Sequence, residues 1–279
     1  MTGTTAPPWV ARVFSALRPL AQVQGDAEAL RFLEEHGFPA ERCARADAVS
    51  TLEGQGVLVT EHVPGTPARR GPRTLHILGD LLGRLHTLPA GSGASARDSG
   101  SWHHLSLRGG GRREDIDALT ALLADVERVA PSDQRALCAS LCEDVARTDD
   151  GRDLPSAFIH PDFTPPNVIV APEVGPVLID WTGAGRGPRV SSLGFLLWAA
   201  GGRDLGLVDA VIAGYRAHVR LDVDERARLA DAVRAPSLIL ECWSVVCGRA
   251  RLPEIVGGLS TNRDLAEAIA ARARGGFDR

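Results

Sequence analysis

The apolar residues in the first part of the chain recur with two different periods. Residues 9–14 place successive side chains on opposite sides with period two, which predicts a short strand. Residues 27–36 carry leucines at helical spacing after Asp26, a candidate N-cap, and are predicted to form a helix. Residues 57–63 are a valine-rich run ended by Pro64-Gly65, as expected of a buried strand.

From residue 66 onwards the apolar spacing is mainly that of helices. Leucines recur every three or four residues over 74–88, which predicts an amphipathic helix. A stretch rich in Gly, Ser and Ala at 89–111 is predicted to be a loop. Further helices are predicted at 114–129, 132–147, 204–219, 224–247 and 262–274. Strands with one helix, followed by helices with one embedded strand pair, indicate an α+β fold.

This order divides the chain into two unequal parts. Residues 1–65 are predicted to form a small, sheet-containing N-terminal lobe, and residues 66–279 a large, mostly helical C-terminal lobe. The junction lies near Glu61 to Gly65, where a strand ends at a Pro-Gly pair. A chain of 279 residues is long enough for two such lobes, and a ligand cleft between them is expected.

The strand pair embedded in the second part carries the candidate chemistry. The loop His160–Asn167 lies between two apolar runs, and Asp180 ends the run that follows. A hairpin would bring Asn167 and Asp180 to the same end of the sheet, close to Asp162 in the loop. One carboxylate can orient an attacking hydroxyl and accept its proton, while an amide and a second carboxylate hold magnesium on nucleotide phosphates. The His-x-Asp-x-x-x-x-Asn spacing with a downstream Asp therefore predicts a kinase catalytic loop.

Composition narrows the partners and leaves this prediction unchanged. The sequence is 44% hydrophobic and 24% charged with a net charge of −4, so nothing indicates binding to nucleic acid or to an anionic membrane. No apolar run reaches the ~18–20 residues of a membrane span, and the start has no signal-peptide pattern, so a cytoplasmic protein is expected. The five cysteines show no metal-binding spacing, and all 31 basic residues are arginines.

The segments His160 to Val170 and Val177 to Trp181 resemble those of the aminoglycoside phosphotransferase and choline kinase group of small-molecule kinases. In that group an Asp-Trp or similar pair commonly replaces the Asp-Phe-Gly of protein kinases. The resemblance implies a bilobal protein-kinase-like fold, ATP or GTP as donor, and Mg²⁺. It also implies a small hydroxylated acceptor, such as an aminoglycoside-like compound or an amino alcohol. A protein kinase fits less well, since the chain has no Asp-Phe-Gly and no Ala-Pro-Glu segment downstream of Asp180, where an activation loop would end.

The resemblance assigns roles to the residues of the catalytic segment. Asp162 would be the catalytic base, and Asn167 and Asp180 would be the magnesium ligands. His160 would hold the loop through hydrogen bonds. Positioning by such a base contributes ~10²–10⁴ to the rate.

On the nucleotide side the resemblance is carried by four residues. Glu61 and Val63 resemble the inter-lobe hinge, whose backbone groups receive the adenine edge. Arg12 occupies the place of the family's nucleotide-binding lysine, and Glu28 lies on the first helix, where the family places the glutamate that pairs with it. An arginine keeps the positive charge and can pair with a carboxylate through two parallel hydrogen bonds.

The N-terminal lobe is expected to be shortened. Only eight residues precede Trp9, which leaves no room for the two strands and the Gly-containing turn that cover nucleotide phosphates in the family. Two functions therefore stay open: a phosphotransferase, or a pseudokinase or small-molecule-binding protein that keeps the fold without efficient transfer. For the acceptor, Glu241 and Trp243 lie on a predicted helix where antibiotic kinases of the group receive cationic substrates.

Overall fold

The structure is a computed structural model that describes residues 8–89, 91, 96–100 and 111–278. The predicted loop at 89–111 therefore lies mostly outside the described residues. The strands are β1 Trp9–Val13, β2 Val49–Leu52, β3 Gln55–Glu61, β4 Thr66–Pro67, β5 Ser156–Ile159, β6 Val168–Ala171, β7 Gly175–Leu178 and β8 Gly185–Pro188. The helices are α1 Leu20–Glu35, α2 Pro72–His86, α3 Gly111–Val129, α4 Arg135–Ala146, α5 Arg189–Gly201, α6 Gly206–Tyr215, α7 Val223–Ala227, α8 Leu229–Val246 and α9 Leu252–Phe277.

The N-terminal sheet has the order β1-β3-β2, and both outer strands run antiparallel to β3. Helix α1 packs against this sheet, and Leu30 shares the core with Leu58 of β3. The helix begins at Leu20, well before the predicted start. The prediction that Asp26 is an N-cap is therefore wrong: Asp26 lies inside the helix, and its buried carboxylate contacts two arginines, Arg18 and Arg97.

Two small sheets hold the predicted catalytic segment. Strands β6 and β7 form the predicted antiparallel hairpin, and β4 pairs with the other edge of β6. Strand β5 pairs with β8, so part of the Gly-rich stretch 183–188 forms a strand. This strand packs tightly, because a Cβ at Gly185 would lie 2.5 Å from the carbonyl oxygen of Arg97.

The helices that follow pack around two hydrophobic cores. The first core joins α1 and β3 of the N-terminal part to α2, α5, α6 and the β6–β7 hairpin, and the second joins α3, α4 and α8. Helices α2 and α6 are in close contact, since a Cβ at Gly79 would lie 2.1 Å from the carbonyl oxygen of Val211. The first core crosses the predicted lobe boundary at residue 65, and that boundary stays a prediction.

The predicted C-terminal helices differ from the observed ones in their ends. The segment 224–247 is divided into α7 and α8 at Arg228, whose side chain contacts Asp149. Helix α9 begins at Leu252 rather than near residue 262. None of the helices in the described ranges is long and apolar enough to cross a membrane.

Candidate active site

The predicted catalytic loop begins at His160, which follows β5 directly and is almost fully buried. Its Nδ1 accepts a hydrogen bond from the backbone N–H of Asp162 at 3.0 Å, and its Nε2 lies 3.1 Å from the carbonyl oxygen of Ile179. These two contacts assign the proton of a neutral ring to Nε2. Burial lowers the pKa of His160 and favours this neutral form. His160 therefore links the loop to the end of β7.

The carboxylate of Asp162 is exposed and held by two neighbours in the loop. The hydroxyl of Thr164 donates to its Oδ1 at 2.9 Å, and the amide of Asn167 donates to its Oδ2 at 2.8 Å. The same amide nitrogen donates to the carbonyl oxygen of Asp162 at 2.9 Å. Both N–H groups of the amide are therefore used, and the side-chain carbonyl oxygen of Asn167 is left as an acceptor or metal ligand. The sequence did not single out Thr164.

The register of the β6–β7 hairpin brings Asn167 next to the residues that end β7. Val168 faces Leu178, and one step further the N–H of Ile179 donates to the carbonyl oxygen of Asn167 at 2.9 Å. Asp180 follows with a φ of 62°, in the left-handed region, which costs a non-glycine residue ~1–2 kcal/mol. Such strain is concentrated at functional sites in folded proteins.

Arg12 reaches Asp180 from β1, but its acidic partner is not the predicted Glu28. One guanidinium nitrogen lies 3.5 Å from Asp180 Oδ1, and the other lies 3.4 Å from Glu41 Oε1. Glu41 is 4% exposed and also accepts the backbone N–H of Asp180 at 2.7 Å. Glu28 lies on the exposed side of α1. The predicted pairing of Arg12 with Glu28 is therefore corrected to a pairing with Glu41.

The path of the chain after α1 explains why Glu41 takes this position. The N–H of Leu178 donates to the carbonyl oxygen of Pro39, and the N–H of Glu41 donates to the carbonyl oxygen of Leu178, each at 2.9 Å. Residues 39–41 thus run beside the end of β7 and carry the Glu41 carboxylate to Asp180. We call Arg12, Glu41 and Asp180 the carboxylate–arginine cluster.

The side-chain oxygen atoms of Asn167 and Asp180 are of the donor type that Mg²⁺ prefers. Mg²⁺ is commonly bound through one or two protein ligands together with substrate phosphates rather than in an all-protein cage. Among the described residues, no group of three or more His, Cys, Asp or Glu side chains could hold a metal by itself. The donor set therefore suits a metal shared with a phosphate-bearing ligand.

The predicted hinge residues Glu61 and Val63 line a cavity of about 630 Å³. Glu41 and the tip of the β6–β7 hairpin form other parts of its wall. A cavity of this size can hold a small molecule. Arg12 is not among its lining residues. The link between Arg12 and this cavity is Glu41, which pairs with Arg12 and also lines the cavity.

A second cavity, of about 880 Å³, has Asp162 in its wall, and we call it the Asp162 cleft. Glu241 of α8 also lines it, and its Oε1 accepts a hydrogen bond from Asn262 of α9 at 2.6 Å. Burial raises the pKa of Glu241. Trp243 does not line the cleft and packs against the second core instead, because residues two apart on a helix face different directions.

The family comparison agrees with this geometry. Residues 1–231 match the model of the phosphotransferase enzyme family, APH. This match covers most of the chain, which therefore belongs to that family. The predicted resemblance to small-molecule kinases and the predicted α+β fold are confirmed.

Individual relatives are more distant. A homoserine kinase from Caulobacter sp. (strain K31) is 32% identical over 154 residues, which cover 52% of this chain and only 42% of that relative. An amicoumacin kinase, hAmiN, solved in complex with AMP-PNP, Ca²⁺ and Ami, has a TM-score of 0.64 at 15% identity, over 94% of this chain and 82% of that one. An aminoglycoside phosphotransferase from Alicyclobacillus acidocaldarius subsp. acidocaldarius has a TM-score of 0.62 at 17% identity, over 98% and 87%. At these identities the solved structures establish the fold.

Proposed function

We propose that this protein is a cytoplasmic, Mg²⁺-dependent enzyme that transfers the terminal phosphate of ATP or GTP to a hydroxyl group of a small molecule in the Asp162 cleft. The observation that carries the proposal is the position of Asp162. Its exposed carboxylate faces a large cavity and is fixed by Asn167, which the hairpin register brings beside the end of β7 at Ile179–Asp180. A phosphotransferase needs this combination of a base beside an acceptor site and oxygen ligands beside a phosphate site.

In the proposed reaction Asp162 acts as the base. It orients the acceptor hydroxyl and takes its proton, while the acceptor oxygen bonds to the transferred phosphorus and the bond to the nucleoside diphosphate breaks. His160 holds the backbone of Asp162, and Thr164 and Asn167 fix the carboxylate. This network keeps the base in one orientation before the substrate arrives, which reduces the entropic part of the barrier.

The nucleotide side is assigned to the remaining predicted residues. Asn167 and Asp180 would hold Mg²⁺, which neutralises charge on the phosphates when it is bound. Arg12, kept in place by Glu41, supplies a positive charge beside Asp180. Glu61 and Val63 would receive the base of the nucleotide through their backbone groups. Glu28 keeps no role in this proposal, because Glu41 takes its predicted place.

Glu241 is proposed to bind an ammonium group of the acceptor. Its carboxylate lines the cleft, and its Oε2 is buried without a hydrogen-bond partner among the described residues. An unpartnered buried carboxylate oxygen is costly, and a cationic ligand would offset that cost. Amino alcohols and aminoglycosides carry such a group, as does the substrate that gives the homoserine kinase relative its name.

A second candidate is a pseudokinase that binds a small molecule without transferring phosphate. The ion pair between Arg12 and Asp180 favours it, because the arginine already neutralises the proposed metal ligand. The two candidates differ in nucleotide binding. If ATP and Mg²⁺ at 100 times the dissociation constant bind the folded state, they stabilise it by ~2.7 kcal/mol. Absence of a thermal shift at millimolar ATP with Mg²⁺ would support the pseudokinase.

The proposed activity is tested with a panel of hydroxylated amines, hydroxy amino acids and aminoglycosides, each incubated with ATP and Mg²⁺. Phosphorus NMR would detect a new phosphomonoester for at least one acceptor. The Asp162→Asn variant is the control, and we expect it to lose almost all transfer. Transfer that is unaffected by this substitution would refute the assigned site.

A further inference from the structure

Two arginines in the wall of the Asp162 cleft have no part in the phosphoryl transfer described above. Arg70 lies between β4 and α2, and Arg203 follows the end of α5. A guanidinium nitrogen of Arg70 donates to the carbonyl oxygen of Ala200, in the last turn of α5. The Nε of Arg70 is buried and has no hydrogen-bond partner in the described part of the chain.

The two guanidinium groups are close enough to act on each other. Burial first, and then the charge of Arg203, lower the pKa of Arg70. The nearby carboxylate of Asp204 opposes this shift, but its Oδ1 accepts the backbone N–H of Gly206 at 2.8 Å. One guanidinium N–H of Arg70 caps the end of α5. This capping gives no role to the buried Nε of Arg70 or to Arg203.

The wall of the cleft carries two positive and two negative side chains in mostly apolar surroundings. Its charged lining residues are Arg70, Arg203, Asp162 and Glu241. Of the two acids, Asp162 is the proposed base, and Glu241 has a buried carboxylate oxygen without a described hydrogen-bond partner. Much of the remaining wall is apolar and includes Trp198. A ligand that satisfies these groups needs a hydroxyl, a cationic group and an anionic group.

We infer that the acceptor is a zwitterion, a hydroxylated molecule whose carboxylate binds Arg70 and Arg203 and whose ammonium group binds Glu241, as in a hydroxy amino acid. This inference rests on the proposed phosphotransferase function and narrows its acceptor. Amino alcohols and aminoglycosides carry ammonium groups but no carboxylate. They would offer the two arginines no anionic group and place a positive charge near them, which opposes binding.

The experiment compares three acceptors that differ in one charged group each. L-Homoserine carries both groups, 3-aminopropan-1-ol lacks the carboxylate, and 4-hydroxybutyrate lacks the ammonium. We expect kcat/KM for homoserine to exceed that of either analogue by at least about 10-fold, since one charge-assisted hydrogen bond contributes about that factor. Equal or better use of 3-aminopropan-1-ol would overturn the inference.

Two variants and one control locate the subsites. In Arg203→Ala the preference for homoserine over 3-aminopropan-1-ol should fall by at least about 10-fold, and in Glu241→Gln the preference for homoserine over 4-hydroxybutyrate should fall similarly. Arg203 is exposed, so its replacement should not prevent folding. Arg69→Ala is the matched control, because Arg69 is exposed beside Arg70 and does not line the cleft. A preference that Arg203→Ala leaves unchanged would contradict the anion subsite.

A binding measurement separates this inference from the proposed function. Calorimetric titration with L-homoserine should give a dissociation constant at least about 10-fold higher for Arg203→Ala than for the unmodified protein. If no acceptor receives phosphate but this difference is seen, the phosphotransferase proposal fails while the zwitterion site stands. If phosphate is transferred but homoserine binds both proteins equally, the zwitterion site fails while the activity stands.

Discussion

The two sides of the candidate active site are assembled over different distances along the chain. On one side, Asp162, Asn167 and Asp180 come from one loop and one hairpin, and their neighbours lie within the same short segment. On the other side, Arg12 comes from β1, and Glu41 reaches Asp180 from a position 139 residues away in sequence. The first side depends on local spacing and strand register, whereas the second depends on the packing of the whole N-terminal part.

This difference indicates which part of the site is sensitive to substitutions at distant residues. Replacing a residue of the hairpin should affect the chemistry directly and leave the fold in place. Replacing a residue that docks the N-terminal part should affect the fold, and the cluster with it. The following predictions test that contrast, beginning with the largest expected effect.

The largest effect is expected at Asp26, which joins α1 to the segment after Asp180. Its fully buried carboxylate lies 2.8 Å from Arg18 and 2.5 Å from Arg97, and it accepts the N–H of Gly183 at 3.0 Å. Asp26→Asn leaves two arginines without their countercharge, so we expect the free energy of unfolding to fall by ~3–5 kcal/mol. Urea denaturation measures this change.

The control for Asp26 is Glu35→Gln, at the end of α1. Glu35 is exposed, so its replacement should change the free energy of unfolding by less than ~0.5 kcal/mol. Equal, small effects of both substitutions would mean that Asp26 does not anchor the N-terminal part.

The second effect concerns Asp180. Asp180→Asn keeps the shape of the side chain and removes the charge proposed to hold magnesium, so we expect kcat/KM to fall by ~10²–10³, as for loss of one electrostatic group in other active sites. The magnesium concentration needed for half-maximal rate should rise. Asp153→Asn is a matched control, since Asp153 also has a positive φ, of 67°, and is exposed. A similar loss in both variants would point to backbone strain rather than to metal binding.

The third effect tests the corrected ion pair. Glu41→Gln removes the charge that faces Arg12 and weakens the bond to the N–H of Asp180, and charge-assisted bonds contribute ~1.5–3 kcal/mol. We therefore expect kcat/KM for ATP to fall by ~10–100-fold. The same measurement on Glu28→Gln should show no change. A larger loss for Glu28→Gln would restore the pairing that the sequence had suggested.

The smallest effect is a pH dependence of stability at His86, on α2. Burial, and secondarily the charge of Arg189, lower the pKa of His86 to about 3, and its Nδ1 lies 2.8 Å from the hydroxyl of Tyr215. The folded state therefore excludes a proton that the unfolded chain binds below pH ~6.5. Its stabilising contribution is complete above that pH and decreases as the pH falls toward 3. The free energy of unfolding should drop by about 2 kcal/mol between pH 7 and pH 5.

The variant His86→Gln serves as the comparison, because glutamine can keep a hydrogen bond to Tyr215 and does not titrate. Subtracting its pH dependence removes the contribution of the carboxylates, which both proteins share. Identical pH dependence of the two proteins would contradict a neutral, buried His86.

The residues whose relative positions the sequence predicted are those whose partners are near in sequence. The spacing of Asp162 and Asn167 and the hairpin to Asp180 follow from a short loop and a strand register, and both are visible as patterns. The strands β1 and β3 and the helix α2 were predicted for the same reason, since hydrophobic period is a local property.

The residues that it missed depend on contacts between distant segments. Glu41 has no motif of its own, and only the passage of residues 39–41 beside β7 makes it a partner of Asp180. Asp26 is a residue type that is common at N-caps, but it lies inside α1, where its carboxylate pairs with Arg18 and Arg97. Glu241 and Trp243 are neighbours in sequence, and only helix packing shows that one faces the cleft and the other the core.

The central claim is that Asp162 serves as the base for phosphate transfer from a nucleotide to the acceptor. The most direct test is a single-turnover measurement with ATP labelled in its terminal phosphate, Mg²⁺ and the best acceptor of the panel. We predict that the label moves to a phosphomonoester of the acceptor, and that Asp162→Asn lowers the rate constant by at least ~10²-fold while still binding ATP. Label that stays in ATP, or that moves at the same rate in both proteins, would contradict the claim.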